Sequence, residues 1–261
     1  MPELPEVELF TRYWREHALG QTIARVRVLD PRILGEITVE KFRRRLRGQA
    51  FGEVRRHGKN LFVSLTREWL HVHFGMSGDL AFYRDVAGQP RFARVVFDFE
   101  NGAHLAYDDM RLFGVLDLTP SPEAYVAEHE LGPDPLDSRF GLRAFRSLLT
   151  GKRGAIKALL MSQDVIAGIG NLYADEALYQ ASIHPARPAD RISPDEAKHL
   201  FQLIRRILSS TIERKASSRD YPPGYLTQHR EEGDRCPMCG GEIRKTVVFG
   251  RTTYFCGTHQ T

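Results

Sequence analysis

The sequence predicts an α+β protein: an antiparallel β-sandwich covered by one helix, then a helical domain, then a β-hairpin carrying metal ligands. Three observations lead there. Short runs between residues 22 and 107 alternate apolar with polar residues, as strands with one buried face do. From residue 142 to 215 the apolar spacing becomes helical. All three cysteines fall in the last 26 residues, which points to metal binding rather than to a disulfide framework.

The first helix is expected from about Leu4 to Ala18, before Gly20. Strands are expected at Thr22 to Leu29, Ala50 to Arg56, Leu61 to Leu65, Trp69 to Phe74, Ala93 to Phe99 and Ala103 to Tyr107. Asn101-Gly102 offers a hairpin turn between the last two. Leu131 to Pro135 is rich in helix breakers and reads as a linker. Helices follow at Leu142 to Thr150, Ala155 to Met161, Asn171 to Gln180 and Pro194 to Lys215. Ser193-Pro194 starts the last of these with a capping serine and a first-turn proline. Lys245 to Phe255 is expected to form a hairpin with Gly250-Arg251 at its turn. Domain boundaries are placed at 1–130, 131–225 and 226–261.

A hydrophobic content of 42% supports packed cores. No apolar run approaches the roughly 20 residues that span a bilayer. The first residues lack the basic-then-apolar order of a signal peptide, so a cytoplasmic, nucleoid-associated location is expected. The net charge is only +4, but cations cluster at Lys41 to Arg47, Arg55 to Lys59, Gly151 to Gly154 and Arg205-Arg206. Clustered cations on a nearly neutral chain favour a polyanionic partner, phosphate first, although solvated helix faces have the same composition.

Two terminal features carry chemistry. Removal of Met1 would leave Pro2 as a secondary amine. An α-amine titrates near roughly 8, against roughly 10.4 for lysine, so a useful fraction is neutral at working pH. A neutral amine attacks aldehyde-like carbons to give a Schiff base, and from proline the product is a cationic iminium. Glu3, one residue on, is placed to move protons. At the other end, Cys236-x2-Cys239-x16-Cys256-x2-His259 has the ligand types and spacing of a tetrahedral zinc site. A full set of four ligands makes the ion structural, with no open position for water.

The segments MPELPEVE, HFGMSG, DMRLFG, LGPDPL, GIGNLYADEAL, IHP and GRTTYFC occur in this order between Met1 and Cys256. On them the chain resembles the formamidopyrimidine-DNA glycosylase/endonuclease VIII family, with an opening closer to the formamidopyrimidine branch. The resemblance implies a bifunctional base-excision repair enzyme, a DNA glycosylase with an attached abasic-site lyase. It implies a β-sandwich, a helix–two-turn–helix domain and a zinc finger. The implied partner is double-stranded DNA containing damaged bases or abasic sites, and the implied state is a monomer.

The resemblance also assigns roles. Pro2 is the nucleophile and Glu3 its proton carrier, with Lys59 and Arg251 assisting near the lesion's sugar and phosphate. Met76, Arg111 and Phe113 match the trio that fills the void left by an extruded base. Asn171 resembles a phosphate-binding asparagine, and His73, Lys152 and Arg153 are further backbone contacts. Glu6 and Glu176 look like supporting carboxylates.

Four departures bear on this. His259 stands where the family usually has cysteine. Met110 and Leu112 replace the proline and second arginine of a DPRRFG motif, which bears on opposite-base preference. Phe92 lies about where a phosphate-binding histidine is expected. The 217–226 segment is shorter than the loop that closes over oxidised purine. Ring-opened purines, oxidised pyrimidines and abasic sites therefore all stay open as substrates. A non-catalytic damaged-DNA binder is the alternative of a different class.

Overall fold

The computed structural model describes residues 2–216 and 221–261. The first part of the short 217–226 segment thus lies outside the described residues. The chain divides into two compact units, one of residues 1–2 and 6–130, the other of residues 3–5 and 131–261.

The first unit is built on two four-stranded antiparallel sheets. One has the order β1(Ile23–Val28), β6(Ala93–Phe99), β7(His104–Asp109), β5(Gly78–Tyr83). The other runs β2(Val54–His57), β3(Asn60–Ser64), β4(Trp69–His73), β8(Val115–Thr119). Their apolar faces share one core, in which Val26, Val63, Leu70, Val72, Phe97 and Leu105 are buried. Helix α1(Leu4–Ala18) adds Val7, Trp14 and Ala18 to it. The Trp14 ring meets Phe51 edge-on at 5.0 Å, a favourable aromatic geometry.

Strands β5 and β8, and helices α2(Val39–Leu46) and α3(Pro122–Glu128), were not foreseen from the sequence. In α2 only Phe42 and Leu46 are buried. Two buried apolar residues one turn apart among four cations read as a charge cluster, not as a helical stripe. The helix nevertheless starts at a proper cap, with Thr38 Oγ1 accepting the Lys41 amide at 3.3 Å.

The second unit contains α4(Leu142–Leu149), α5(Ile156–Met161), α6(Asn171–Gln180) and α7(Pro194–Glu213). Ser193 and Glu196 complete a reciprocal capping box at the start of α7. The hairpin of β9(Ile243–Val248) and β10(Arg251–Cys256) pairs Val248 with Arg251. Its two-residue turn is therefore Phe249-Gly250, one position earlier than the sequence suggests. Both residues have positive φ, 49° and 69°, as the tight turns that match strand twist require. No helix among the described residues is long and apolar enough to cross a membrane.

Candidate active site and metal centre

Glu3 is held by the first turn of α6. Its carboxylate accepts the amides of Gly170 at 2.6 Å, Leu172 at 2.9 Å and Tyr173 at 3.4 Å. A helix N-terminus offers unpaired N–H groups and a positive dipole end, so this seat favours a negative charge. Gly170 is needed for the approach, because a Cβ there would lie 2.4 Å from the Glu3 carboxyl carbon. The Leu4 amide, bonded to the Gly168 carbonyl at 3.0 Å, fixes the adjacent backbone. Glu3 is thus 3% exposed yet extensively bonded, and half-buried Pro2 is its neighbour in the chain.

In the first unit, Lys59 occupies the tight turn between β2 and β3 and is 9% exposed. His73 closes β4 and accepts the Gly75 amide at its Nδ1, at 3.2 Å. Burial and the nearby Lys59 cation hold the His73 pKa down, so its imidazole is neutral. Met76 and Phe113 are 40% and 54% exposed, against the ordinary expectation that such residues sit in a core. Their loops pack backbone to backbone: a Cβ on Gly75 would lie 2.3 Å from the Phe113 carbonyl carbon. The Arg111 guanidinium lies 5.1 Å from the Phe113 ring centre, a cation–π arrangement.

The aspartate of DMRLFG has no role that its place in the sequence announces. Asp109, fully buried, organises that loop. Its carboxylate accepts from the Ser77 hydroxyl at 2.5 Å, the Arg111 amide at 3.1 Å and the Gly114 amide at 2.9 Å. Arg111 and Phe113 are presented by this cap. Leu112, between them, takes a left-handed φ of 56°, and Met110 is 56% exposed. Phe92 lies beneath the guanidinium groups of Arg91 and Arg94, at 5.2 and 5.9 Å.

In the second unit, Asn171 is the first residue of α6, and its side-chain amide donates to the Thr252 carbonyl of β10 at 3.1 Å. The same hairpin is held by a buried charge cluster that sequence reasoning missed. Lys157 Nζ meets Asp175 at 2.7 Å and the Thr253 hydroxyl at 2.6 Å, while Arg230 meets the other Asp175 oxygen at 2.8 Å. Burial, with Arg230 as a second cation, pushes the Lys157 pKa down. These residues are 18 and 55 positions apart in sequence, so no local pattern announces them. Arg251 is exposed beside the hairpin tip, and Lys152 and Arg153 are exposed after α4. Glu176, almost fully buried, accepts from Gln180 and from the Thr227 amide and hydroxyl. It anchors the segment after residue 225. Tyr221, at the described end of the short loop, shares a 2.9 Å hydrogen bond with the Tyr173 hydroxyl.

The ligand atoms of Cys236, Cys239, Cys256 and His259 all lie within 4.8 Å of one another. Cys239 and Cys256 sulfurs are 3.5 Å apart, and Cys236 Sγ is 3.6 Å from His259 Nδ1. Tetrahedral zinc, with bonds of roughly 2.3 Å to sulfur and 2.05 Å to nitrogen, needs edges of about 3.8 Å and about 3.6 Å. The two measured edges are close to these values and the widest separation is within 4.8 Å, so the four side chains suit such an ion, with histidine as the fourth ligand.

Residues 1–116 match the model of the formamidopyrimidine-DNA glycosylase N-terminal domain, and residues 131–221 match that of its H2TH domain. A formamidopyrimidine-DNA glycosylase of Symbiobacterium thermophilum is 38% identical, over 98% of this chain and 88% of its own. One from Streptococcus pneumoniae is 33% identical, over 98% and 97%. Among solved structures, a Lactococcus lactis FPG mutant with Fapy-dG containing DNA superposes with a TM-score of 0.90. It is 29% identical over 100% of both chains. MutM with DNA containing carbocyclic 8-oxo-G also gives 0.90, at 30% identity over 100% of both chains. The motifs, the two matched domains and near-complete alignment with these relatives agree: the chain belongs to the formamidopyrimidine-DNA glycosylase family.

Proposed function

We propose that the chain is a bifunctional DNA glycosylase and abasic-site lyase that works through its N-terminal proline. The observation supporting this most directly is the seat of Glu3, a carboxylate held by three backbone amides beside Pro2 in the chain. A carboxylate so fixed is an oriented proton carrier, and a protein that only bound DNA would have no use for one at this place.

With Met1 removed, the Pro2 nitrogen attacks C1′ of an extruded nucleotide, and the bond from C1′ to the damaged base breaks. Glu3 assists proton transfer as the base leaves and the sugar ring opens. The resulting iminium draws electron density from C2′. Loss of a C2′ proton then expels the 3′ phosphate by β-elimination. A second proton loss expels the 5′ phosphate by δ-elimination and leaves a one-nucleotide gap. Lys59 and Arg251 serve as cations for the departing phosphates. Met76 and Phe113 wedge into the opened stack while Arg111 addresses the orphaned base. Asn171, His73, Lys152 and Arg153 hold the backbone. His73, held neutral by burial beside Lys59, would do so as a hydrogen-bond donor rather than as a cation. Cys236, Cys239, Cys256 and His259 hold one structural zinc ion, which supplies closure of the finger and takes no part in bond breaking. The substrate would place the protein with the nucleoid.

Damaged duplex DNA as partner is supported by the relatives, solved with Fapy-dG, 8-oxo-G and abasic-site DNA. A panel of duplexes, each with one lesion opposite each of the four bases, tests the proposal. The expected product is a one-nucleotide gap bearing phosphates at both margins. Intact strands from every lesion and from abasic DNA would refute it. The exposed Met110 and left-handed Leu112 beside Arg111 remove a neighbouring cation, so a relaxed opposite-base preference is expected in the same panel.

A further inference from the structure

The metal centre has a feature that its four ligands do not explain. Tyr179, in the last turn of α6, touches it twice. The Tyr179 hydroxyl lies 3.1 Å from Cys236 Sγ and accepts the Met238 amide at 3.3 Å. With its oxygen occupied by that amide, the hydroxyl proton is directed at the sulfur. A metal-bound thiolate only accepts, so the bond runs from tyrosine to Cys236. The Tyr179 carbonyl, which also receives the Ser182 amide at 3.1 Å, lies 3.2 Å from His259 Nε2. A carbonyl cannot donate, so Nε2 must carry the proton. The lone pair is then left on Nδ1, the nitrogen that stands 3.6 Å from Cys236 Sγ. The two rings meet edge-on at 4.9 Å, which restricts rotation of the imidazole.

We infer that Tyr179 is a positioning residue for the metal: its carbonyl selects Nδ1 of His259 as the fourth ligand atom, and its hydroxyl supports the Cys236 thiolate. This rests on the zinc reading above and extends it. Partners of this kind fix the tautomer and orientation of a ligating histidine, and their loss commonly weakens a site by about 10- to 100-fold. The tether also joins the metal to α6, the helix whose first turn holds Glu3.

The test uses the full chain labelled with nitrogen-15 at histidine and loaded with zinc or cadmium. Long-range proton–nitrogen spectra should show a metal-bound Nδ1 and a protonated Nε2 for His259. A metal-bound Nε2 would overturn the inference while leaving the metal site intact. Zinc release to a chelator should be about tenfold faster or more in Tyr179→Phe, which keeps the ring but loses the hydroxyl. Release at the unaltered rate would also overturn it. A chain that takes up no metal and leaves all three thiols open to alkylation would refute the zinc reading itself.

Discussion

Single residues show how burial decides chemistry. His71 has Nε2 bonded to the Asn60 side-chain oxygen at 2.9 Å and is 1% exposed. Burial drives its pKa down to about 3, so the folded chain refuses a proton that the unfolded chain accepts near pH 6.5. The resulting stability is complete above pH 6.5 and is lost as pH falls towards 3. In His71→Gln the acid limb of a stability–pH curve should flatten, by up to about 1.4 kcal/mol per pH unit. An unchanged slope would show that this histidine does not titrate as described. For Glu3 the expectation concerns rate. Glu3→Gln should still bind an abasic-site duplex but should slow base release by about 10²- to 10⁴-fold. Single-turnover rates decide this, and a loss below threefold would remove Glu3 from proton transfer. The grouping of Cys236, Cys239, Cys256 and His259 was legible in the sequence because metal chemistry constrains residue type and spacing. Asp109, Lys157 and Tyr179 were not, since each acts through a partner distant in sequence or through a backbone group.

At the scale of elements, α6 carries the seat of Glu3 at its first turn and Tyr179 beside the metal ligands at its last. Gly170 must lack a side chain for Glu3 to reach the helix amides, because an added Cβ would lie 2.4–2.8 Å from three Glu3 side-chain atoms. Gly170→Ala should therefore leave zinc uptake unchanged while lowering glycosylase activity by at least tenfold, since overpacking shifts a fitted group. Full activity with the same thermal stability would contradict this seat. Helix α6 was readable because its glycines and helical spacing mark its start. The short α2 was not, because two buried residues among four cations carry too little pattern. The hairpin was foreseen but its turn was misplaced by one residue. Phe249 takes a positive φ that its residue type does not advertise, and cross-strand pairing from Cys256 back to Arg251 dictates that it must.

At the scale of the molecule, each unit presents exposed cations and loop-tip apolar residues on a tightly packed frame. Arg111 in the first unit, and Lys152, Arg153 and Arg251 in the second, are exposed. If they meet phosphates or an orphaned base, affinity for duplex DNA must fall steeply with salt. Plots of log K against log salt should lose about one unit of slope for Arg251→Ala. An unchanged slope would remove that residue from the phosphate contacts. The α+β class and the order of its parts were legible because period-two and helical patterns occupy separate stretches of chain. Which distant residues meet was not, because the pairing of Lys157 with Asp175 and Arg230 arises only on folding.

The mechanism requires that the processed terminal nitrogen become bonded to deoxyribose. Borohydride reduction of the enzyme mixed with abasic-site DNA, followed by mass spectrometry of the crosslinked peptide, measures it directly. A stable adduct at Pro2 in a chain lacking Met1 is the expected result. Trapping at a lysine instead, or equal trapping with Met1 still attached, would contradict it.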